Sequence, residues 1–397
     1  MLSNRINYLS ESETLAMSRK CRELNAMGHN VINLSLGEPD FNTPDYIKNA
    51  AKKAIDDNFT FYSPVAGYAD LREAICVKLK RDNNLDYTCD QIVVSTGAKQ
   101  GIANVVLCIV NPGEEVLLPA PYWVSYKEIV KVAEGKSVFI PATVEQEFKV
   151  TPAQIEAAIT PKTKLIIFSS PCNPTGSVYS KEELKGIAEV IAKYPQIYIV
   201  ADEIYEHINF IGQHQSIAQF DFIKDQVILV NGVSKGFAMT GWRIGYIAAP
   251  KKIAKACDKL QGQFTSGASS IAQRAALEAV ITDPDTRDLR TMKAAFRERR
   301  DLLLQLLGEI PGFKLNHPDG AFYVFPDISW YFGKSDGETT IRNANDFCMF
   351  ILNKVFVATV PGDAFGDPNC MRFSYATSKE KLVEAVKRIK TLLAGLK

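Results

Sequence analysis

Short apolar runs rich in β-branched residues recur along this chain of 397 residues, and segments with helical periodicity separate them. The runs cover residues 91–95, 115–118, 137–140, 164–169, 197–201, 226–230 and 243–248. Such runs have no polar face to offer water, so they suit strands covered on both sides, as at the centre of a largely parallel sheet. The intervening segments carry helix signals. Ser180-x-x-Glu183 is a capping box ahead of Leu184, Ile187, Ala188 and Ile191, and Thr151 precedes Pro152 at a first helical position. This alternation predicts an α/β fold, a large doubly wound domain over residues 45–290 with a mostly parallel seven-stranded sheet. Beyond residue 290 the pattern changes to a basic helix over 291–307 and a mixed region around 320–326 and 355–360. It ends in an amphipathic helix bearing Leu382, Val386, Ile389 and Leu392. Residues 291–397 together with 1–44 are expected to form a smaller α/β domain.

The charge balance narrows the partners. Lys plus Arg total 46 against 45 for Asp plus Glu, so no net field draws the chain to nucleic acid or anionic lipid. The longest apolar runs, such as 102–110, are too short to span a membrane, and residues 1–13 lack the apolar core of a secretory signal. The eight cysteines show no C-x-x-C spacing and the four histidines no H-E-x-x-H, so a metal enzyme is not expected. Reduced thiols and a cytoplasmic location follow as expectations.

In open parallel sheets, ligands bind beyond the carboxyl ends of the strands, so the residues after each run are the candidates for chemistry. They are Thr96-Gly97-Ala98-Lys99, Pro119-Ala120-Pro121-Tyr122-Trp123, Ser170-Pro171-Cys172-Asn173-Pro174-Thr175-Gly176, Asp202-Glu203-Ile204-Tyr205 and Asn231-Gly232-Val233-Ser234-Lys235. A glycine turn opening a helix at Gly97, Ala98 and Lys99 suits a phosphate, to which Ser234 and Arg243 can add a hydroxyl and a guanidinium. Trp123 offers a flat face for an aromatic ring, Asp202 can hold a proton on a ring nitrogen, and Lys235 follows an apolar strand where desolvation favours a neutral amine. Together these groups describe pyridoxal 5'-phosphate. Each also has a plain structural reading: Asp202 as a helix cap, Trp123 as core packing, Asn173 as a turn residue before Pro174, Arg372 as a surface ion pair, and Lys99 as a solvated charge at a helix start. Cys172 reads as a small filler, since no histidine lies nearby in sequence.

The ordered set of motifs resembles a known family. Ser234-Lys235-Gly236-Phe237-Ala238-Met239-Thr240-Gly241-Trp242-Arg243-Ile244-Gly245 is similar to the lysine signature of class I aminotransferases. Gly37-Glu38-Pro39-Asp40-Phe41, Pro121-Tyr122-Trp123, Asn173-Pro174-Thr175-Gly176, Asp202-Glu203-Ile204-Tyr205 and Arg372-Phe373-Ser374-Tyr375 resemble its other blocks in the same order, nearest to the prokaryotic-type aspartate aminotransferase branch. The resemblance covers nearly the whole chain and implies the fold-type I architecture. It also implies that Lys235 holds the cofactor as a Schiff base and shuttles the proton, with Asp202 on the pyridinium nitrogen. It further implies Asn173 and Tyr205 on the phenolic oxygen, Trp123 stacked on the ring, and Ala98, Ser234 and Arg243 on the phosphate. Arg372 and Gly37 are implied as contacts to the substrate α-carboxylate. Tyr62, in Tyr62-Ser63-Pro64, resembles a tyrosine that reaches the neighbouring subunit's phosphate, so a homodimer is implied.

Aspartate or a related acidic amino acid is the expected donor and 2-oxoglutarate the acceptor, in a ping-pong reaction. No arginine stands near Gln263-Phe264-Thr265-Ser266 to take the distal carboxylate, and Lys99 stands where this branch often carries a lysine for it. Aromatic donors, prephenate, and a lyase on the same scaffold remain alternatives. A cofactor-sensing regulator is disfavoured, since the chain has no basic patch or spare helix-turn-helix length.

Overall fold

The computed structural model describes residues 2–397. Seven strands form the main sheet: β1 Ile92–Ser95, β2 Glu115–Ala120, β3 Lys136–Pro141, β4 Thr163–Ser169, β5 Tyr198–Asp202, β6 Val227–Gly232 and β7 Gly245–Ala248. Their spatial order is β1-β7-β6-β5-β4-β2-β3. Every neighbouring pair is parallel except those of β7, which runs antiparallel to both β1 and β6. All residues of β1, β2, β6 and β7 are buried, the burial expected of a sheet with helices on both faces. Fully burying one Val or Ile side chain contributes roughly 1.5–3 kcal/mol, enough to outweigh the roughly 1–2 kcal/mol of ordering its backbone. Only β3, at one edge, is exposed or half-buried along most of its length, with Ile140 its one buried residue, and it ends on Pro141, a residue that edge strands tolerate.

The capping signals hold. Ser180 accepts from the Glu183 amide at 3.2 Å while the Glu183 carboxylate accepts from the Ser180 amide at 2.7 Å, opening helix Lys181–Ile191. Thr151 and Gln154 do the same for helix Pro152–Ala158. Strand ends differ from expectation by at most two residues. The basic helix begins at Arg287 rather than at 291, because Thr286 in extended conformation precedes it. Arg243 and Ile244 lie outside β7, since Arg243 adopts a left-handed conformation, φ +59°, which a strand does not accept.

Two small sheets accompany the large one. Ile32–Asn33 pairs in parallel with Val357–Ala358, so the N-terminal segment packs with the C-terminal one. Met371–Ser374 lies between Val360–Pro361 and Tyr323–Val324, antiparallel to both. Helix Lys379–Leu393 buries Leu382, Val386 and Ile389. Among the described residues, no helix is long and apolar enough to cross a membrane.

One close approach governs the chemistry-bearing edge of the sheet. Gly245, first residue of β7, faces the start of helix Ala98–Ile109, and a Cβ there would fall 2.7 Å from the Ala98 Cα. A Gly245→Ala substitution is expected to destabilise the protein by about 1–3 kcal/mol, the usual range for overpacking a rigid interior. Urea unfolding measures it; an unchanged midpoint would show that the helix start does not press on β7.

Candidate active site

The parallel strands β1, β2, β4, β5 and β6 all end at one edge, and β7, being antiparallel, begins there. Arg243, two residues before β7, therefore arrives at the edge that Ser95, Ser169, Asp202 and Gly232 reach from the opposite direction. A cavity of about 430 Å³ opens beyond this edge. Ala98, Lys99, Trp123, Asn173, Asp202, Tyr205, Ser234, Lys235 and Arg243 line it from the large-sheet side, and they are joined by Gly37, in the loop after Ile32–Asn33, and by Arg372, in the small-sheet strand Met371–Ser374. Two expected residues do not line it. Gly97 sits just behind, and Tyr62 is 98% exposed elsewhere on the surface of the chain.

The anion-accepting end is built on Gly97, whose φ of +81° turns the chain from β1 into helix Ala98–Ile109. The Arg243 guanidinium occupies the space a side chain at Gly97 would need, so only glycine lets cation and helix start come together. Arg243 Nη1 donates to the Thr240 carbonyl at 2.8 Å, which fixes the fork with donors to spare. Ser234 is buried beside it. Lys99 places its ammonium 5.0 Å from the centre of the Trp123 ring. Partial burial and then the Arg243 charge lower its pKa from the ordinary lysine value, although its end reaches solvent.

Asp202 ends β5 inside the protein. Its Oδ2 accepts from the Tyr126 hydroxyl at 2.7 Å and its Oδ1 from the Ile204 amide at 3.2 Å. Burial pushes its carboxyl up to about 6, against these two donors. A cation brought to this carboxylate would reverse that shift, so the position is suited to a protonated ring nitrogen. Trp123 stands edge-on to Tyr126, ring centres 5.4 Å apart.

Lys235 reaches across the cavity and donates to the Gly37 carbonyl. Burial, assisted by the Arg372 and Arg243 charges and opposed by Glu38 and Asp202, brings its ammonium down to about 8. Arg372 is 2% exposed. Its Nη1 donates to Asn173 Oδ1 at 2.8 Å and its Nη2 to the Ser35 carbonyl at 2.6 Å. Its Nε is buried with no partner, and no carboxylate among the described residues pairs with it. A buried guanidinium without a counter-charge is costly, so an anion belongs in this cavity.

Several residues of the site went unforeseen. Tyr126 lies one helical turn after Trp123, a spacing that hints at a shared face. Tyr323 places its hydroxyl 2.8 Å from that of Tyr205, and Ser35 contributes only backbone. Ser169, at the end of β4, has a buried hydroxyl with no partner. Outside the cavity, Glu203, Glu206 and His214 bring ligand atoms within 4.8 Å of one another. Lys78 already supplies the cation there: burial opposes ionisation of Glu206, yet Lys78, His207 and His214 hold its carboxyl well below the usual range.

The chain is similar to known proteins over nearly its whole length. The family described as aminotransferase class I and II matches residues 29–389. A bifunctional aspartate aminotransferase and glutamate/aspartate-prephenate aminotransferase of Petunia hybrida is 48% identical over 399 residues, covering 100% of this chain and 83% of the relative. The crystal structure of the aspartate aminotransferase of Rhizobium meliloti matches with a TM-score of 0.96 at 39% identity, covering 100% of both chains. That of Thermus thermophilus, with maleate, matches at 0.93 and 39% identity, covering 99% of this chain and 100% of the other.

Asp202 carries a pH signature. Its folded pKa is raised, so ionisation opposes folding. That penalty is absent below about 4, grows as pH rises, and is complete above about 6. In the cofactor-free protein, Asp202→Asn is expected to gain stability relative to the wild type across that window, by on the order of 1–3 kcal/mol at pH 7. Urea unfolding at pH 4 and pH 7 checks this, and a pH-independent difference would show that Asp202 is not desolvated.

Proposed function

The chain belongs to the class I and II aminotransferase family, and from that membership we propose that it transfers the amino group of L-aspartate, or a related acidic amino acid, to 2-oxoglutarate with pyridoxal 5'-phosphate as cofactor. The observation that carries this reading is one cavity holding a desolvated lysine, a buried carboxylate and a buried arginine with no counter-anion. The residues fit the cofactor: the helix start at Ala98 with Ser234 and Arg243 suits its phosphate, and Asp202 suits its ring nitrogen. When bound, the cofactor supplies an electron-withdrawing ring that lets a substrate Cα–H ionise.

The chain's own groups do the rest. Lys235 would hold the cofactor and, as a free amine, would move the proton from the substrate Cα to the cofactor carbon that carries the imine; a pKa near 8 leaves part of it neutral at neutral pH. Asp202 keeps a proton on the ring nitrogen, and its bonds from Tyr126 and Ile204 hold the carboxylate in place. Tyr205 and the free amide nitrogen of Asn173 donate to the phenolic oxygen. Trp123 covers the ring and excludes water from one face. Arg372 offers Nε and its remaining protons as a fork for the α-carboxylate, beside Gly37. Lys99, over Trp123 at the far wall, suits a distal carboxylate.

Maleate, named with the Thermus relative, is a dicarboxylate, which supports an acidic substrate. Prephenate is a second acceptor favoured by the name of the Petunia relative. All three relatives are named as aminotransferases, which favours transamination over a lyase. A homodimer is supported by the exposed aromatics Phe61, Tyr62 and Phe264, and Tyr62 would then reach the other subunit's site. The division into 45–290 and 1–44 with 291–397 is supported by the separation of the large sheet from the two small ones. Eight free cysteines support a reducing, cytoplasmic location.

Mixing the holoenzyme with L-aspartate alone is expected to release about one oxaloacetate per site, and later 2-oxoglutarate to yield glutamate; continuous turnover of L-aspartate without an oxo acid, to alanine and carbon dioxide or to fumarate and ammonia, would overturn the reading. Arg372→Lys is expected to raise KM for every amino donor about tenfold or more, because a point charge replaces a planar fork. Lys99→Ala is expected to raise KM about tenfold for dicarboxylic donors while leaving monocarboxylic ones unaffected. Steady-state kinetics with a donor panel separates the two variants.

A further inference from the structure

Tyr323 is fully buried, and its one side chain touches both halves of the site. Its hydroxyl lies 2.8 Å from the Tyr205 hydroxyl. The face of its ring lies 4.6 Å from the Arg372 guanidinium carbon, and Phe365 lies 4.8 Å from the same carbon. The backbone makes this contact rigid, because Tyr323 pairs with Ser374 in the strand that carries Arg372. A Cβ at Gly37 would fall 3.0 Å from the Tyr323 hydroxyl, so that hydroxyl also abuts the residue whose carbonyl accepts from Lys235.

We propose that Tyr323 is a positioning residue that holds the guanidinium of Arg372 with its ring and orients the proton of Tyr205 with its hydroxyl. This rests on the function proposed above. The reasoning is one of hydrogen-bond direction. A buried phenol must place its proton on an acceptor, and among the described residues the Tyr323 hydroxyl has one hydrogen-bonding partner, the Tyr205 oxygen. If Tyr323 donates there, the Tyr205 proton is turned away from it and into the cavity. Tyr205 is then a donor toward the phenolic oxygen of the cofactor rather than an acceptor. Both phenols are held above the ordinary tyrosine range by burial, so each keeps its proton. The two contacts are separable, because phenylalanine retains the ring and lacks the hydroxyl.

The test compares wild-type, Tyr323→Phe and Tyr323→Leu holoenzymes, after thermal unfolding and circular dichroism establish that each is folded. Three quantities are read: maleate affinity by calorimetry, the midpoint of the visible-absorbance pH titration without substrate, and kcat and KM for L-aspartate. Tyr323→Phe is expected to keep maleate affinity within about twofold of wild type, to raise the titration midpoint by about half a unit, and to lower kcat about tenfold with KM little changed. Tyr323→Leu is expected to weaken maleate about tenfold as well. A Tyr323→Phe enzyme with wild-type titration and kcat would overturn the inference alone. So would one that loses maleate affinity as fully as Tyr323→Leu, since ring and hydroxyl would then not have separate roles. A wild-type protein that takes up no pyridoxal phosphate would overturn the proposed function, and this inference with it.

Discussion

Strands buried on both faces cannot carry polar chemistry along their length, and the rest of this structure depends on that constraint. Polar and charged side chains are pushed to the strand ends, and in a parallel sheet the carboxyl ends share one edge. The single antiparallel strand, Gly245–Ala248, sharpens this arrangement, because it starts where its neighbours finish and so delivers Arg243 to the same place. The glycine at its head lets helix Ala98–Ile109 begin within contact distance. Cation and helix start thus meet in one corner without a loop having to bring them there.

The electrostatics of the cavity are local. Over the whole chain acidic and basic groups nearly cancel, yet Lys235, Arg243 and Arg372 face the same space with Asp202 as the buried acid. Burial weakens the charged form of both Lys235 and Asp202, moving their pKa values toward each other from opposite sides. The cavity is therefore poised for an anionic ligand that itself carries a positive ring nitrogen. The buried cluster behind it, Lys78 with Glu206 and His214 with Glu203, follows the opposite logic, since each charge there already has its partner.

How much of this could be read from the chain differs by residue. The five segments after the apolar runs were legible because the period of the runs places their ends, and eight expected residues from them line the cavity, whereas Gly37 and Arg372 were expected only from the resemblance of their motifs. Tyr323 and Tyr126 were not legible, since their value lies in a hydroxyl aimed at a residue more than seventy positions away. Ser35 acts through its carbonyl, which every residue possesses, so its side chain carries no signal. The start of the helix at Arg287 and the left-handed turn at Arg243 are likewise decided by neighbours rather than by local propensity.

By itself, the amino-acid sequence determined the layered α/β architecture, the edge at which the site lies and the chemical kinds of group gathered there. These depend on hydrophobic period and on turn and cap residues, which act over a few positions. Only the tertiary structure decided that Arg372 is buried without a counter-charge, that Asp202 and Lys235 are desolvated enough to shift, and that Tyr205 is tied to Tyr323. Each of those depends on which distant groups surround a given atom and how far water is excluded from it, and no local pattern in the chain encodes either quantity.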